Sequence, residues 1–229
     1  MIKISILTMS GAPLLGYLLR ELRKHDIVIA SLIYDKKEFS DKNRQIHEQR
    51  TNGRLPILGV NKFCDDIDIY NTDNHNSNDC INYIQKNKFD LLVNCESPRI
   101  LSKDLIATPN IGILNCHPGL LPAYRGCSCV EWAVLNDEPV ANTVHFVSEG
   151  IDEGDIAKSK VIDIRKNQDY IDLRVKVYME GIMLLTSVID DYYSGKGIIT
   201  TKQNDKKANY YKPIDKLNLD KVIEKLKNG

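Results

Sequence analysis

The chain has 229 residues, enough for one sizeable domain with a buried core, so neither a metal nor a disulfide scaffold is needed. Lys plus Arg and Asp plus Glu both number 31, and the formal net charge of 0 leaves no surplus to hold a polyphosphate backbone, so we expect no nucleic-acid partner. No apolar run reaches the ~18 residues of a membrane span, and the alternating N-terminus indicates a strand instead of a signal peptide, so we expect a cytoplasmic protein with no membrane contact.

The first elements predict a parallel α/β unit. Apolar residues at 4–7 predict a strand, 8–13 a turn, leucines at helical spacing over 14–22 a helix, and 27–33 a second strand. This order is typical of right-handed crossovers at the start of a Rossmann-like sheet. The turn, which contains Ser10, can seat a phosphate. It has only Gly11 and Gly16 of the Gly-x-Gly-x-x-Gly fingerprint, so it indicates a dinucleotide site only weakly.

The rest of the chain continues the alternation of strands and helices. Polar residues at 36–54 predict an exposed segment, and the short apolar segments at 55–60 and 67–70 stay of undecided type. A helix around Ile81 and Ile84 then precedes a buried strand at 89–95. A brief helix capped by Ser102 and a second buried strand at 112–115 follow. A capping box from Ser128 to Glu131 predicts the start of a helix, and alternating residues predict strands at 142–147 and 156–164. A long amphipathic helix begins at Asp169 or Asp172 and ends at Gly195. The tail contains a small strand at 198–201 and a last helix near 219–227.

These elements predict an α/β protein with a Rossmann-like, mostly parallel twisted sheet and helices on both faces. We place the catalytic domain at 1–194 and a short C-terminal extension at 195–229. The six cysteines lack paired metal-type spacings and suit reduced thiols; they are Cys64, Cys80, Cys95, Cys116, Cys127 and Cys129. A redox or metal role for Cys127 and Cys129, which are separated by one residue, is the alternative, and we predict no metal site.

The segment from Asn115 to Gly126 contains an amide, an imidazole, a guanidinium and two prolines directly after a predicted buried strand. Ligand sites in open α/β sheets lie at the carboxyl ends of strands. Asn115 and His117 point to the same side of a strand, because side chains alternate with period two. Pro118 and Pro122 stiffen the loop that follows, so both polar groups are held for an oxyanion.

This stretch resembles the signature loop of the folate-dependent formyltransferase family, in which Asn-x-His-Pro precedes Leu-Leu-Pro. The family's pattern continues about 35 residues later with a Gly-x-Asp-x-Gly loop, which Gly150 to Gly154 supplies here after the strand at 143–147. The resemblance spans most of residues 2–190. It implies the formyltransferase fold, 10-formyltetrahydrofolate as cosubstrate, and Asn115, His117 and Asp152 as the catalytic residues.

The chemistry accounts for these residue types. An amine that attacks a formamide carbon gives a tetrahedral intermediate with a negative oxygen and a positive nitrogen. Asn115 can donate an N–H to that oxygen, and His117 can take the amine proton. Asp152 near the imidazole would raise the pKa of His117 and orient either its ring or a proton-carrying water.

Further residues follow from the resemblance. By position, Cys95, Glu96 and Ile100 would form the wall of the pterin pocket, together with Gly150 and Ile151 of the aspartate loop; these are our cofactor-binding residues. Arg125, Tyr124, Ser10 and His145 are our substrate-binding candidates. Arg125 either contacts a substrate phosphate or stabilises the loop, and His145 is either a neighbour of the site or a satisfied core histidine.

The segments around this centre indicate the branch of the family. Glycinamide ribonucleotide formyltransferases have a Gly-Asn-x-Ser-Asn loop after the first strand, from which Thr8 to Leu14 departs. Methionyl-tRNA formyltransferases have a second, RNA-binding domain, and formyltetrahydrofolate deformylases an N-terminal regulatory one, and neither is expected here. The branch that acts on nucleotide-linked amino sugars, for surface polysaccharides such as lipopolysaccharide, combines the Tyr-Arg-Gly loop with a brief tail. We expect a member of that branch, a homodimer by analogy. The alternatives are glycinamide ribonucleotide formylation and folate binding without catalysis.

Overall fold

The structure is a computed structural model that describes residues 2–63, 66–165 and 167–228. The strands are β1 (Ile4–Met9), β2 (Ile29–Asp35), β3 (Asp68–Thr72), β4 (Leu91–Asn94), β5 (Gly112–His117), β6 (Arg125–Gly126), β7 (Ala141–Phe146), β8 (Ile156–Val161) and β9 (Tyr210–Tyr211). The helices are α1 (Leu15–Lys24), α2 (Asp41–Thr51), α3 (Asn78–Asn87), α4 (Lys103–Ile106), α5 (Cys129–Leu135), α6 (Tyr170–Tyr193) and α7 (Lys216–Asn228).

Seven strands form one sheet in the order β3-β2-β1-β4-β5-β7-β8. The first five run parallel, while β7 pairs antiparallel with β5 and β8 antiparallel with β7. The mostly parallel sheet predicted from the sequence is therefore confirmed. Because the strand order reverses between β1 and β4, a crevice opens at the carboxyl ends of these strands, where α/β proteins bind ligands.

Both faces of the sheet are covered by helices. On one face, α1 and α6 pack on side chains such as Ile6 and Val93; on the other, α3 and α4 pack on Leu7 and Leu92. Successive residues of a strand thus enter different clusters, which is why the central strands read as continuous apolar runs. A third cluster joins α5, α6 and α7 around Val222.

The residues after α6 fold back onto the domain. The short strand β9 pairs in parallel with β6, in the loop that follows β5. Gly126 permits this approach, because it has a φ of 92° and a Cβ there would lie 2.5 Å from the Tyr211 carbonyl oxygen. The C-terminal extension is therefore in contact with the loop that the sequence marks as catalytic.

Several local predictions were wrong. The 198–201 segment is not a strand, since only Thr201 bridges to Ile156. Ser128 begins α5 with a φ of 52° and no capping bond, because its hydroxyl accepts a hydrogen bond from the Ile214 N–H (3.1 Å) instead. The second strand begins at Ile29, two residues later than predicted.

The described cysteines are all free thiols, and Cys64 lies outside the described residues. No group of three His, Cys, Asp or Glu side chains suited to a metal occurs in the described ranges. None of the helices in the described part of the chain is long and apolar enough to cross a bilayer.

Candidate active site

Polar side chains meet where β4, β5 and β7 lie side by side. Asn94 is the last residue of β4, Asn115 and His117 occupy the end of β5, and His145 pairs with Asn115 across the β5–β7 ladder. Because directly paired residues share a face of the sheet, Asn115 and His145 project together. The polar face that Asn115 and His117 share on β5 therefore continues onto β7.

Hydrogen bonds orient the Asn115 amide. Its Oδ1 accepts from Asn94 Nδ2 (3.0 Å), and its Nδ2 donates to Nε2 of His145 (3.2 Å). His145 can accept there because its Nδ1 donates to the Phe146 carbonyl oxygen (2.8 Å), which sets the tautomer. The second Nδ2 hydrogen of Asn115 has no acceptor among the described residues and is available to a ligand.

Asp152 lies between two imidazoles. Its Oδ2 is 3.4 Å from Nδ1 of His117, and its Oδ1 is 3.6 Å from Nε2 of His145. Its backbone has a left-handed φ of 56°, and its Oδ2 accepts a hydrogen bond from the Gly126 N–H (2.9 Å). The Gly-x-Asp-x-Gly turn thus brings the carboxylate to the end of β5, as the sequence predicts.

His117 is buried and oriented by its own loop. Its Nε2 donates to the Tyr124 carbonyl oxygen (2.7 Å), so the unprotonated Nδ1 of the neutral ring faces Asp152. Burial lowers the pKa of His117 below 6.5, although Asp152 and the Tyr124 bond oppose that shift. Asp152 raises the pKa of His117, as predicted, but the lost hydration of the imidazolium outweighs the carboxylate, so the net shift is downward. The predicted orienting role of Asp152 falls mainly to Tyr124.

The loop after His117 is also held by Thr143. The Thr143 hydroxyl donates to the Gly119 carbonyl oxygen (2.7 Å) and accepts from the Leu121 N–H (3.3 Å). The predicted stiffness of this loop thus has a side-chain component besides its two prolines.

Two cavities adjoin this centre. The first, of about 280 Å³, has a polar end at Asn94, Glu96 and Asn115 and apolar walls from α1 and α6. The second, of about 570 Å³, lies between α2, α5, α6 and the tail, and contains Lys42 and Arg50. Glu96 lines both cavities. Its Oε2 accepts from the Leu14 N–H (2.8 Å), and burial raises its pKa to about 7.

The predicted cofactor residues lie on two adjacent loops. Cys95 is buried, whereas Ile100 (76% exposed) and Ile151 (54% exposed) present bare apolar side chains. An ion pair between Lys103 and Glu149 (3.2 Å) links the first residue of α4, which follows the first loop, to the loop that contains Gly150. Each of the two loops therefore exposes one isoleucine side chain to solvent.

The substrate candidates are only partly brought together. His145 joins the centre, but Arg125 (1% exposed) directs its guanidinium to Gln203, Asp205 and Tyr210, which favours loop stabilisation.

Tyr124 is buried and stacks on Tyr211 (centroids 4.8 Å apart), and Ser10 lines a separate cavity with Ile57 and Gly59. Substrate contacts by Tyr124 and Ser10, as by Arg125, stay predictions. Sequence reasoning missed Asn94, for which the signal was a polar residue at the end of a buried strand.

The chain resembles known proteins along most of its length. Residues 2–189 match the model of the family described as formyl transferase. The chain is 37% identical to a methionyl-tRNA formyltransferase of Methylacidiphilum infernorum over 149 residues, which make up 65% of this chain and 46% of that protein. The chain spans about half the length of the curated relatives that it matches.

Solved structures share the fold at low identity. A sugar N-formyltransferase from a Shewanella species has a TM-score of 0.66 and 17% identity, covering 99% of this chain and 88% of that one. A glycinamide ribonucleotide transformylase from Symbiobacterium toebii has a TM-score of 0.64 and 22% identity, covering 89% and 95%. An N-formyltransferase from Helicobacter canadensis, in complex with folinic acid and dTDP-3-aminofucose, has a TM-score of 0.62 and 18% identity, covering 99% and 81%.

Proposed function

The match over residues 2–189 places the chain in the formyl transferase family, and we propose that it transfers the formyl group of 10-formyltetrahydrofolate to the amino group of a nucleotide-linked amino sugar. The observation that carries the proposal is the convergence of Asn115, His117 and Asp152 at the carboxyl ends of the parallel strands. One amide donor, one imidazole and one carboxylate are the groups that formyl transfer to an amine requires.

The geometry suggests a role for each group. 10-Formyltetrahydrofolate, when bound, supplies the formyl carbon that the acceptor amine attacks. Asn115 donates its second Nδ2 hydrogen to the formyl oxygen, from an amide already oriented by Asn94. His117, neutral because burial lowers its pKa, accepts the amine proton at Nδ1. The imidazolium so formed faces Asp152 Oδ2 at 3.4 Å, which stabilises the charge. When the tetrahedral intermediate collapses, the bond between the formyl carbon and N10 of the folate breaks and N10 takes the proton from His117, so that the formylated amine and tetrahydrofolate are released.

The bare side chains of Ile100 and Ile151 support folate as the cosubstrate. Exposed apolar residues on two neighbouring loops suit a flat heterocycle, and the Lys103–Glu149 pair bridges the two segments at the surface. We assign the cosubstrate to the region beside these two loops, with Cys95 and Glu96 on one and Gly150 on the other.

The extent of the structural likeness favours an amino-sugar acceptor. The Shewanella sugar N-formyltransferase and the Helicobacter N-formyltransferase each cover 99% of this chain, so the shared region includes nearly all of the extension at 195–229. The glycinamide ribonucleotide transformylase covers 89% of this chain. The Helicobacter enzyme was solved with a nucleotide-linked amino sugar, and we propose that class of acceptor here, in the synthesis of surface polysaccharides such as lipopolysaccharide.

Methionyl-tRNA formylation is the second candidate, because the curated sequence relatives have that name. Glycinamide ribonucleotide formylation and folate binding without catalysis remain further alternatives. The zero net charge of the chain favours a small acceptor over RNA.

The test is to incubate the purified protein with 10-formyltetrahydrofolate and a panel of amines, and to detect formyl addition by mass spectrometry. The panel contains dTDP- and UDP-linked 3-amino and 4-amino sugars, glycinamide ribonucleotide and initiator methionyl-tRNA. We expect one sugar nucleotide to gain a formyl group. Formylation of the tRNA or of glycinamide ribonucleotide alone would replace the proposed acceptor. Folate binding without any formylation would favour the binding protein.

We also propose a homodimer formed through the tail or the long helix α6. Light scattering before and after truncation at Gly195 tests this assembly, and a monomeric mass for the full chain would contradict it.

A further inference from the structure

Gln203, in the C-terminal extension, contacts the loop that contains Asp152. Its Nε2 donates to the backbone carbonyl oxygens of Asp152 (2.8 Å) and Gly154 (2.7 Å). Both hydrogens of one amide are thus used on the turn that presents the catalytic carboxylate. Gln203 is about 50 residues from Asp152 in sequence, so only the folded tail brings it there.

The Gln203 amide is itself held by Arg125. Its Oε1 accepts from Arg125 Nε (3.1 Å) and Nη2 (2.8 Å), a two-point contact that fixes which side of the amide faces the loop. Arg125 also donates to the Tyr210 hydroxyl (2.8 Å) and to Asp205 (2.9 Å), and pairs with Glu153 (3.6 Å). The guanidinium is buried, so this geometry is protected from solvent.

The same loop is held from a second side. Arg125 and Gly126 form β6, which pairs with β9 of the extension, and the Gly126 N–H donates to Asp152 Oδ2. The carboxylate and the backbone of Asp152 are therefore both held by groups that depend on the extension. The left-handed φ of Asp152 needs such support, because a residue other than glycine adopts it at a cost.

We propose that Gln203 is a positioning residue, through which the C-terminal extension holds the Asp152 carboxylate against His117 and His145. The inference rests on the proposed catalytic role of Asp152, but the placement of the carboxylate is measurable without turnover. Gln203 does not touch the reacting atoms in this assignment. It acts through the backbone of the aspartate loop.

The test compares Gln203→Met, which keeps the length of the side chain but neither donates nor accepts a strong hydrogen bond, with Gln203→Asn, which withdraws the amide by one methylene. The control is Val222→Ala, which destabilises the extension in the cluster around α7 without touching the loop. Asp152→Asn serves as the reference for a lost carboxylate.

The first readout is the titration of the His117 and His145 imidazoles by NMR, with signals assigned from single histidine variants. The Asp152 carboxylate raises the pKa of both rings, so a displaced carboxylate must lower both. We expect Gln203→Met to shift both titrations toward those of Asp152→Asn, Gln203→Asn to shift them partway, and Val222→Ala to leave them unchanged. Titrations of both Gln203 variants within about 0.3 pH unit of wild type would overturn the proposal.

The second readout is steady-state kinetics. Displacement of a catalytic group by about 1 Å can slow a reaction roughly a hundredfold, so we expect a ten- to hundredfold lower kcat for Gln203→Met with a KM for the folate cosubstrate within about threefold of wild type. Val222→Ala should lower Tm and leave kcat nearly unchanged. An active wild type with equally active Gln203 variants refutes the positioning role and leaves the proposed function intact. A wild type that formylates nothing, with titrations that shift as expected, refutes the function and supports the positioning.

Discussion

Replacement of Asp152 by Asn should remove most of the turnover and leave the fold intact. The two side chains are nearly the same size, so the main change is the loss of one negative charge 3.4 Å from His117 Nδ1 and 3.6 Å from His145 Nε2. With an effective dielectric constant of about 20, a pair of unit charges at 3.4 Å interacts by about 5 kcal/mol. That energy stabilises the imidazolium that forms when His117 takes a proton.

A loss of about 5 kcal/mol corresponds to between three and four orders of magnitude in rate, and reorientation of the new amide should recover part of it. We therefore expect kcat to fall roughly a hundred- to ten-thousandfold, and the same range for His117→Asn. The pKa of His117 should fall further below its usual value in Asp152→Asn, because burial, which already lowers it, is then no longer opposed by the carboxylate. The rising limb of any remaining pH–rate profile should move to lower pH.

Steady-state formylation followed by mass spectrometry gives kcat, and NMR titration gives the pKa of His117. The exposed Asp163→Asn is the matched control, because it makes the same chemical change on the surface. A kcat for Asp152→Asn within tenfold of wild type, with the titration of His117 unmoved, would refute the assignment of Asp152 and the electrostatic reasoning together.

Three further outcomes are expected. Asn94→Ala should lower kcat about tenfold with little change in Tm, because Asn115 loses the hydrogen bond that orients its amide. A variant kcat equal to that of the wild type would show that β5 alone orients the Asn115 amide. Burial raises the pKa of Glu96 in the folded state to about 7 from an ordinary value of 4.5, so the folded state retains a proton that the unfolded chain releases. Stability should therefore fall as pH rises between these values. Glu96→Gln should flatten that dependence by on the order of 1 to 3 kcal/mol in urea unfolding at pH 5 and 8, and parallel curves would contradict the buried carboxyl. Glu131→Gln should lower the free energy of unfolding by about 3 to 5 kcal/mol, since Arg174 keeps a buried charge without its partner, and an unchanged urea midpoint would count against this.

The three proposed catalytic residues are recognisable in the sequence because each lies in a local motif. Asn115 and His117 share a face through the two-residue period of a strand, and Asp152 lies in a turn whose glycines mark it. The order of strands and helices is likewise predictable, because the spacing of apolar residues within each segment indicates its type. The predicted ends of the elements were less accurate, as with the start of β2, because the neighbouring strands determine which residue pairs first.

The capping box from Ser128 to Glu131 failed for a physical reason. The Ser128 hydroxyl accepts from Ile214 of the tail, and Glu131 is buried against Tyr170 and Arg174 of α6. Buried charged and polar groups must find partners, and here distant partners prevailed over the local pattern.

The sequence by itself thus determined the α/β class, because the apolar period of each segment indicates whether it forms a strand or a helix. It also predicted Asn115, His117 and Asp152 as catalytic residues from the motifs in which they lie. Tertiary structure alone decided the net direction of the His117 pKa, because burial depends on everything that packs around the ring. It alone also decided that Asn94 orients Asn115 and that Gln203 reaches the Asp152 loop. Hydrogen bonds between residues far apart in sequence leave no local pattern, and they exist only once the sheet has formed and the tail has folded back onto it.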